Sequence, residues 1–168
     1  MRAFVVPCVL VLVALANPLG FKLDKTTYYD ITTKFRIDSS VKNLDTDGTS
    51  IYVDKNNFNL DGLVGNSVRF DFNAQDKLTS LSLSFRKNKF NELFLSLSKQ
   101  YTLIDRTKKG GEFFVKFESD DSIITLDRLK QRTLLTYTSK NELKRQQKER
   151  QKERKRKKRN RDYLKKML

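Results

Sequence analysis

The residue types in this chain restrict its chemistry more than any motif does. The 168 residues contain no His, and Cys8 is the only Cys. Because Cys8 lies in a segment that we expect to be removed, Cys or His catalytic triads, Cys/His zinc sites and haem ligation by His or Cys are all excluded. Carboxylate, Lys, Tyr and Ser chemistry remain available, but no acid, base and nucleophile form a constellation. The sequence therefore predicts a non-enzymatic protein without a cofactor, and it identifies no molecular function.

Two groups of carboxylates could form a site. Residues 43–54 place oxygen side chains at positions 1, 3, 5 and 12 of a calcium-binding loop, with Gly48 at position 6. Position 12 is Asp54 instead of a bidentate Glu, and the segment that follows is typical of a strand, which favours a polar turn. Asp120 and Asp121 could form an acid/base pair, but adjacent strand residues point to opposite faces, so we interpret them as a turn. No catalytic or metal-binding residue is predicted.

Two pairs of adjacent aromatic residues could stack on a ligand. They are Tyr28 with Tyr29, and Phe113 with Phe114. Such neighbours are more often one core residue beside one exposed residue, which is the interpretation that we prefer.

The charge is concentrated at the C-terminal end. The net charge is +15, of which residues 140–168 carry +11 from 15 Lys or Arg and 4 Asp or Glu. No Gly or Pro interrupts this tail, and Leu143 is its only large apolar residue before Tyr163, so we expect a solvated, partly frayed helix without a coiled-coil seam. It could contact anionic surfaces, with a small apolar anchor at 163–168, or be a solubilising tail without a partner. The predicted contact residues are Lys148, Arg150, Lys152, Arg154, Lys155, Arg156, Lys157, Lys158, Arg159 and Arg161.

The N-terminal end is typical of a secretory signal peptide. Met1 and Arg2 precede fourteen uncharged residues that end in Ala14-Leu15-Ala16. The apolar run is shorter than the ~20 residues that span a bilayer, so we expect cleavage before Asn17; an uncleaved anchor is the alternative. The predicted protein is exported, to the periplasm or beyond.

The fold is predicted around residues 68–101. Val68, Phe70 and Phe72 alternate with polar residues, and so do three apolar residues at 81, 83 and 85, which indicates a hairpin around the turn at 73–77. The helix that follows, with Asn88 as its expected cap, carries an apolar stripe at Phe90, Leu93, Phe94, Leu97 and Tyr101.

The rest of the chain repeats this pattern. We expect a short strand at 19–23, then a helix that is capped by Asp24 or Thr26 and ends near Ile37, a polar segment at 39–50 and a strand at 51–53. Further strands follow the turn at Gly110 and extend to residue 137. Residues 28–38 and 94–105 are similar, which fits a duplicated helix-plus-strands unit, although two helices on any sheet would look alike. The prediction is an α+β domain at 17–138, with helices packed on an antiparallel sheet, between the signal peptide at 1–16 and the basic tail at 139–168.

Several of these segments resemble a family of small, uncharacterised exported bacterial proteins. The similar segments are 21–27, 60–63, 68–72, 77–78, 90–101, 122–127 and 135–137. The resemblance covers roughly residues 19–138 and implies a signal-bearing, envelope-associated α+β domain, without any active-site residue.

Two hypotheses about function follow. The first is an exported, non-enzymatic binding protein of the envelope with an unknown partner, whose tail contacts an anionic membrane or another polyanion. The second is nucleic-acid binding through the same tail, because sequence-independent binding needs only clustered positive charge. Export disfavours the second hypothesis.

Overall fold

The computed structural model describes residues 20–43, 47–53, 59–60, 63–86 and 89–167. Its helices are α1 (Tyr28–Thr32), α2 (Phe90–Ser98) and α3 (Lys140–Met167). Its strands are β1 (Ile37–Lys42), β2 (Thr49–Val53), β3 (Asn59–Leu60), β4 (Leu63–Phe72), β5 (Leu78–Arg86), β6 (Thr102–Lys109), β7 (Glu112–Glu118), β8 (Ser122–Arg128) and β9 (Arg132–Ser139).

Eight of the strands form one antiparallel sheet in the order β1-β2-β4-β5-β9-β8-β7-β6, and β3 pairs with β4 beside this path. The two halves of the chain meet at the centre, where β5 pairs with β9 from Ser80 opposite Thr138 to Arg86 opposite Arg132. The predicted α+β architecture, with two helices on an antiparallel sheet and a basic C-terminal helix, is confirmed.

The alternation within the strands gives the sheet two different faces. Helices α1 and α2 cover one face, where the ring of Tyr28 in α1 lies 5.6 Å from that of Phe72 and the ring of Phe94 in α2 lies 5.8 Å from that of Phe117. The predicted helix stripe packs here, since Leu93 and Leu97 are buried with Leu81, Leu83 and Phe85 of β5. The opposite face, which we call the open face, has hydroxyl side chains at its centre: Ser80, Ser82, Ser84, Thr136 and Thr138.

The two halves repeat the same order of elements, a helix followed by four strands of the sheet. The carbonyl of Ile31 accepts backbone bonds from the residues three and four positions later, and the carbonyl of Leu97 does the same after α2. The next strand then has an irregular register just after Ile37 in β1 and just after Leu103 in β6. This shared geometry matches the internal similarity in the sequence.

Helix α1 differs from its prediction at both ends. Its N-cap is Thr27, not Asp24 or Thr26, because Thr27 and Asp30 form a reciprocal capping box. Asp24 instead has a left-handed backbone with φ of 62°. The helix ends at Thr32, five residues before the expected end at Ile37, where β1 begins. The expected strand at 19–23 is also wrong, because none of its described residues, 20–23, lies in a strand.

Strands β1 and β6 are not predicted by the apolar pattern. Most of strand β1 lies in the polar segment at 39–50, where no strand is expected before residue 51, and every residue of β6 is exposed. Both are edge strands, which natural sheets commonly build from polar and charged residues. Asn88, the expected cap of α2, lies outside the described residues; the N-cap position is Lys89, whose side chain makes no capping bond.

Candidate functional site

The basic tail is one continuous helix. Helix α3 has 28 residues, which corresponds to about 42 Å at 1.5 Å per residue. Every side chain at 147–163 is exposed, and this range holds ten Lys or Arg and three Asp or Glu. We call this range the basic helix segment. The ten basic positions are the predicted contact residues: Lys148, Arg150, Lys152, Arg154, Lys155, Arg156, Lys157, Lys158, Arg159 and Arg161.

Positive charge surrounds the axis of the basic helix segment. Successive residues lie about 100° apart around an α-helix, so the six consecutive basic residues at 154–159 alone encircle it. The ion pair between Lys157 and Glu153, at 2.6 Å, involves two exposed side chains and therefore contributes little stability. The segment has no apolar stripe until Tyr163, so its surface is suited to electrostatic contact from any side.

The start of α3 is fixed by a cap that the sequence analysis missed. The Ser139 hydroxyl accepts a bond from the Glu142 backbone N–H at 3.0 Å, and both residues are buried. Arg145 donates to both carboxylate oxygens of Glu142, at 2.8 and 2.6 Å, and Gln146 adds a third bond at 2.9 Å. The Ser-x-x-Glu spacing is a capping-box signal that could have predicted this helix start.

These contacts set the charge state of the cap. Burial raises the pKa of Glu142, but the hydrogen bonds from Arg145 and Gln146 outweigh burial, so its pKa lies below the ordinary value. The hydrogen bond to Glu142 also raises the pKa of Arg145. The pair is therefore ionised at neutral pH, and it holds the first turns of α3 together.

The first turns of α3 also bind the rest of the domain. Lys140 forms an ion pair with Glu118 at 2.7 Å, and its backbone N–H donates to the Asp121 carbonyl at 2.9 Å. The Asn141 amide donates to the Asp24 carboxylate at 3.0 Å. The basic helix segment thus extends from an anchored base. The predicted domain boundary at 138/139 stays a prediction.

A polar cavity of about 370 Å³ lies between this base and the open face. Its charged side chains form two ion pairs, Arg69 with Asp71 at 3.0 Å and Arg145 with Glu142 at 2.6 Å, so they cancel. The remaining lining is mostly hydroxyl and amide groups, and the Ser50 hydroxyl already donates to Asp71 at 2.6 Å. The cavity can hydrogen-bond a small polar molecule, but its charges do not attract an anion.

The structure describes part of the two carboxylate groups that the sequence singles out. Asp120 and Asp121 lie in the turn between β7 and β8, as predicted, and Asp121 accepts a bond from the Ser119 hydroxyl at 3.2 Å. In the calcium-loop frame at 43–54, which we interpret as a polar turn, the backbone N–H of Asn43 donates to the Gly48 carbonyl at 2.8 Å across the β1–β2 connection. Residues 44–46 and 54, which belong to that frame, lie outside the described residues. Among the described residues, no group of three or more possible metal ligands is found.

The aromatic candidates divide as expected at Tyr28 and Tyr29. Tyr28 packs on Phe72 with ring centres 5.6 Å apart, whereas Tyr29 is 73% exposed. Phe113 and Phe114 are both half-buried, with Phe113 on the helix-covered face, where its ring lies 6.2 Å from Phe90.

Three further titratable groups are perturbed by burial. Burial raises the pKa of Tyr101 to about 12 and raises that of Tyr137 well above its ordinary value, so both are neutral phenols at physiological pH. Burial also raises the pKa of Asp127, against the opposing effect of Lys116. None of them lies beside a nucleophile-and-base pair in the described part of the chain, and we assign them no chemistry.

Comparison with known proteins finds no match: no family model, curated protein or solved structure is similar to this chain. The resemblance to exported bacterial proteins therefore stays a prediction. Within the described ranges, none of the helices combines the length and the apolar character needed to cross a bilayer.

Proposed function

We propose that this is an exported, non-enzymatic protein that binds anionic membrane surfaces through α3. The observation that carries the proposal is the basic helix segment, with ten basic side chains that are all exposed on one helix with an anchored base. Three acidic residues in the same range leave a net charge of +7. Export is inferred from the N-terminal sequence.

The expected attraction is large and depends on salt. Each Lys or Arg close to an anionic membrane contributes about 1 kcal/mol, and the attraction falls off within a Debye length of ~8 Å at physiological salt. Tyr163 and Met167, which are 63% and 67% exposed near the end of α3, could add a small apolar anchor. Binding should therefore weaken steeply as the ionic strength rises.

Nucleic-acid binding is a second candidate, favoured by one observation. Positive charge surrounds the axis of the basic helix segment, so phosphates on two sides, as in a nucleic-acid groove, could be contacted at once. Export argues against this candidate, because an exported protein rarely meets ordered nucleic acid.

The test is co-sedimentation with lipid vesicles, using the chain from Asn17 onward, which contains every residue that the structure describes. We expect binding to phosphatidylglycerol-containing vesicles, but not to pure phosphatidylcholine, and loss of binding between low and physiological ionic strength. Replacing all six basic residues at 154–159 by Gln keeps good helix formers and should greatly weaken binding. A matched control that exchanges Lys for Arg and Arg for Lys at the same positions should retain it.

Three results would contradict the proposal. Binding that does not depend on salt would contradict it, and so would unchanged binding by the Gln variant. Salt-sensitive binding to a nucleic acid but not to anionic vesicles would favour the second candidate.

A further inference from the structure

Three exposed cations lie on the helix-covered side of the second half, beside α2. The guanidinium of Arg106 lies 5.7 Å from the ring centre of Phe94. Lys108 and Arg128 both lie over the ring of Phe113, at 5.3 and 4.0 Å from its centre. Two positive charges on one ring are therefore close neighbours, and contact with the rings orients all three side chains.

The strand register explains why these cations share one side. Lys108 and Arg128 both lie directly opposite Phe113, one on each side of β7. Arg106 is two residues before Lys108 in β6, so it points the same way. Asp105 and Asp127 lie opposite Lys116 and Phe114, so their carboxylates point to the other face of the sheet. Asp105 forms an ion pair with Lys116 at 3.3 Å. None of the three cations has an ion pair within the described part of the chain.

Exposed apolar side chains lie on α2, which carries Phe94, and on β6, which carries Arg106 and Lys108. Leu95 of α2 is 61% exposed, and Leu103 and Ile104 of β6 are 45% and 47% exposed. Leu103 lies opposite Phe117, whose side chain packs against α2, so Leu103 lies on the helix-covered side. We call the three cations and these three apolar residues the α2 patch.

We propose that the α2 patch is a second contact with the anionic membrane, on the domain itself. Its cations would bind headgroup phosphates, and Leu95, Leu103 and Ile104 would enter the boundary between headgroups and acyl chains. The inference rests on the proposed function for the class of ligand, and it adds a site that does not involve α3.

The apolar residues favour a membrane over a nucleic acid as the occupant. Cations alone would suit any phosphate, but exposed leucine and isoleucine side chains gain nothing from a phosphate backbone, whereas burial in a lipid boundary removes apolar area from water. Stacking with bases is also disfavoured, because the Phe94 and Phe113 rings are already contacted by cations.

The α2 patch and the base of α3 are separate sites on the domain. Arg128 lies opposite Thr133, six residues along β9 from Ser139, where α3 begins. At about 3.3 Å per residue, the patch and the base of α3 are separated by roughly 20 Å along the sheet. If one membrane contacts both sites at once, even a weak second contact increases the overall affinity.

The experiment labels single positions with an environment-sensitive fluorophore. The chain from Asn17 onward has no Cys, so Ile104→Cys gives one labelling site in the patch. Val41→Cys is the matched control, because Val41 is 56% exposed on β1, the opposite edge strand. With phosphatidylglycerol-containing vesicles, we expect a blue shift from the label at position 104 and no shift from the label at position 41.

The variant Arg106→Gln/Lys108→Gln/Arg128→Gln should weaken vesicle binding at least about tenfold, because each cation near the membrane contributes about 1 kcal/mol.

The outcomes separate this inference from the proposed function. If the protein binds vesicles through residues 154–159 but the label at position 104 does not shift, the α2 patch is not a membrane contact and the proposed function stands. If the Gln variant at 154–159 still binds and the label at position 104 shifts, the patch is supported and the role of α3 is wrong. Failure to bind anionic vesicles at all would overturn both.

Discussion

Leu97 both packs α2 into the core and takes part in ending the helix. Its side chain is fully buried in the core, and its carbonyl accepts the two backbone bonds that end the helix. The preceding residue, Ser96, is only half-buried on a different side of the helix. The two neighbours therefore differ in burial but share the same helical backbone.

We expect Leu97→Ala to destabilise the domain by about 2–5 kcal/mol, as large-to-small changes in a packed core do. Ser96→Ala should change the free energy of unfolding little. Chemical denaturation monitored by circular dichroism measures both. Equal effects of the two substitutions would mean that the core face of α2 is wrongly assigned.

Glu142 should make stability depend on pH. Its pKa in the folded protein lies below the ordinary value of 4.5, although burial opposes this, because Arg145 and Gln146 donate hydrogen bonds to the carboxylate. A lowered folded pKa means that the stabilising contribution is present above pH 4.5 and is lost as the pH falls through the folded pKa.

Glu142→Gln should therefore lower the thermal unfolding temperature at neutral pH, and the difference from the wild type should shrink as the pH falls below 4.5. Glu153→Gln is the control. The pKa of Glu153 is also lowered, chiefly by its hydrogen bond to Lys157, but it lies in the exposed part of α3. A difference at Glu142 that persisted unchanged in acid would show that its ionisation does not stabilise the fold.

At the scale of the element, α3 has two parts with different roles. The first two turns contact the rest of the domain through Lys140 and Asn141 and bury Glu142, whereas the side chains from residue 147 to residue 163 are exposed. Removing residues 140–168 therefore removes structural contacts together with the charge, whereas removing residues 150–168 removes mainly charge.

We expect a chain that ends at Glu149 to unfold at nearly the same temperature as the full chain, but to lose binding to anionic vesicles. A chain that ends at Ser139 should unfold at a lower temperature, since the cap and the ion pair at Lys140 are lost. Differential scanning calorimetry compares the two. Equal unfolding temperatures would mean that the base of α3 contributes no stability.

At the scale of the whole molecule, one sheet separates two environments. Helices α1 and α2 bury one face, and the open face meets the base of α3 at a polar cavity. The α2 patch lies on the helix-covered side, so the two proposed membrane contacts belong to different parts of the domain.

Export is the remaining prediction at this scale. We expect the signal segment to be cleaved after Ala16, because of the positive start, the short apolar run and the small residues at 14 and 16. Intact mass spectrometry of the exported protein should give a chain that begins at Asn17. Recovery of a soluble intracellular chain that still carries Met1 would contradict export.

The sequence by itself determined the elements whose residues are buried on one side. Alternation at Val68, Phe70 and Phe72 predicts β4, and the spacing of Leu93 and Leu97 predicts the buried stripe of α2, because side-chain direction repeats with a fixed period in each kind of element. The basic composition without Gly or Pro likewise predicts the helical tail and its ten contact candidates.

The tertiary structure alone decided which segments lie next to one another. Strands β1 and β6 are held mainly by hydrogen bonds to a single neighbour and bury few side chains, so no apolar period marks them. The β5–β9 pairing joins residues 46 to 58 positions apart, and a local pattern carries no information about that choice. Arg106 and Lys108 belong to the unpredicted β6, and they meet Arg128 only because β6 and β8 both pair with β7. The α2 patch therefore exists only in the folded sheet, because it depends on the register between strands and not on any one segment.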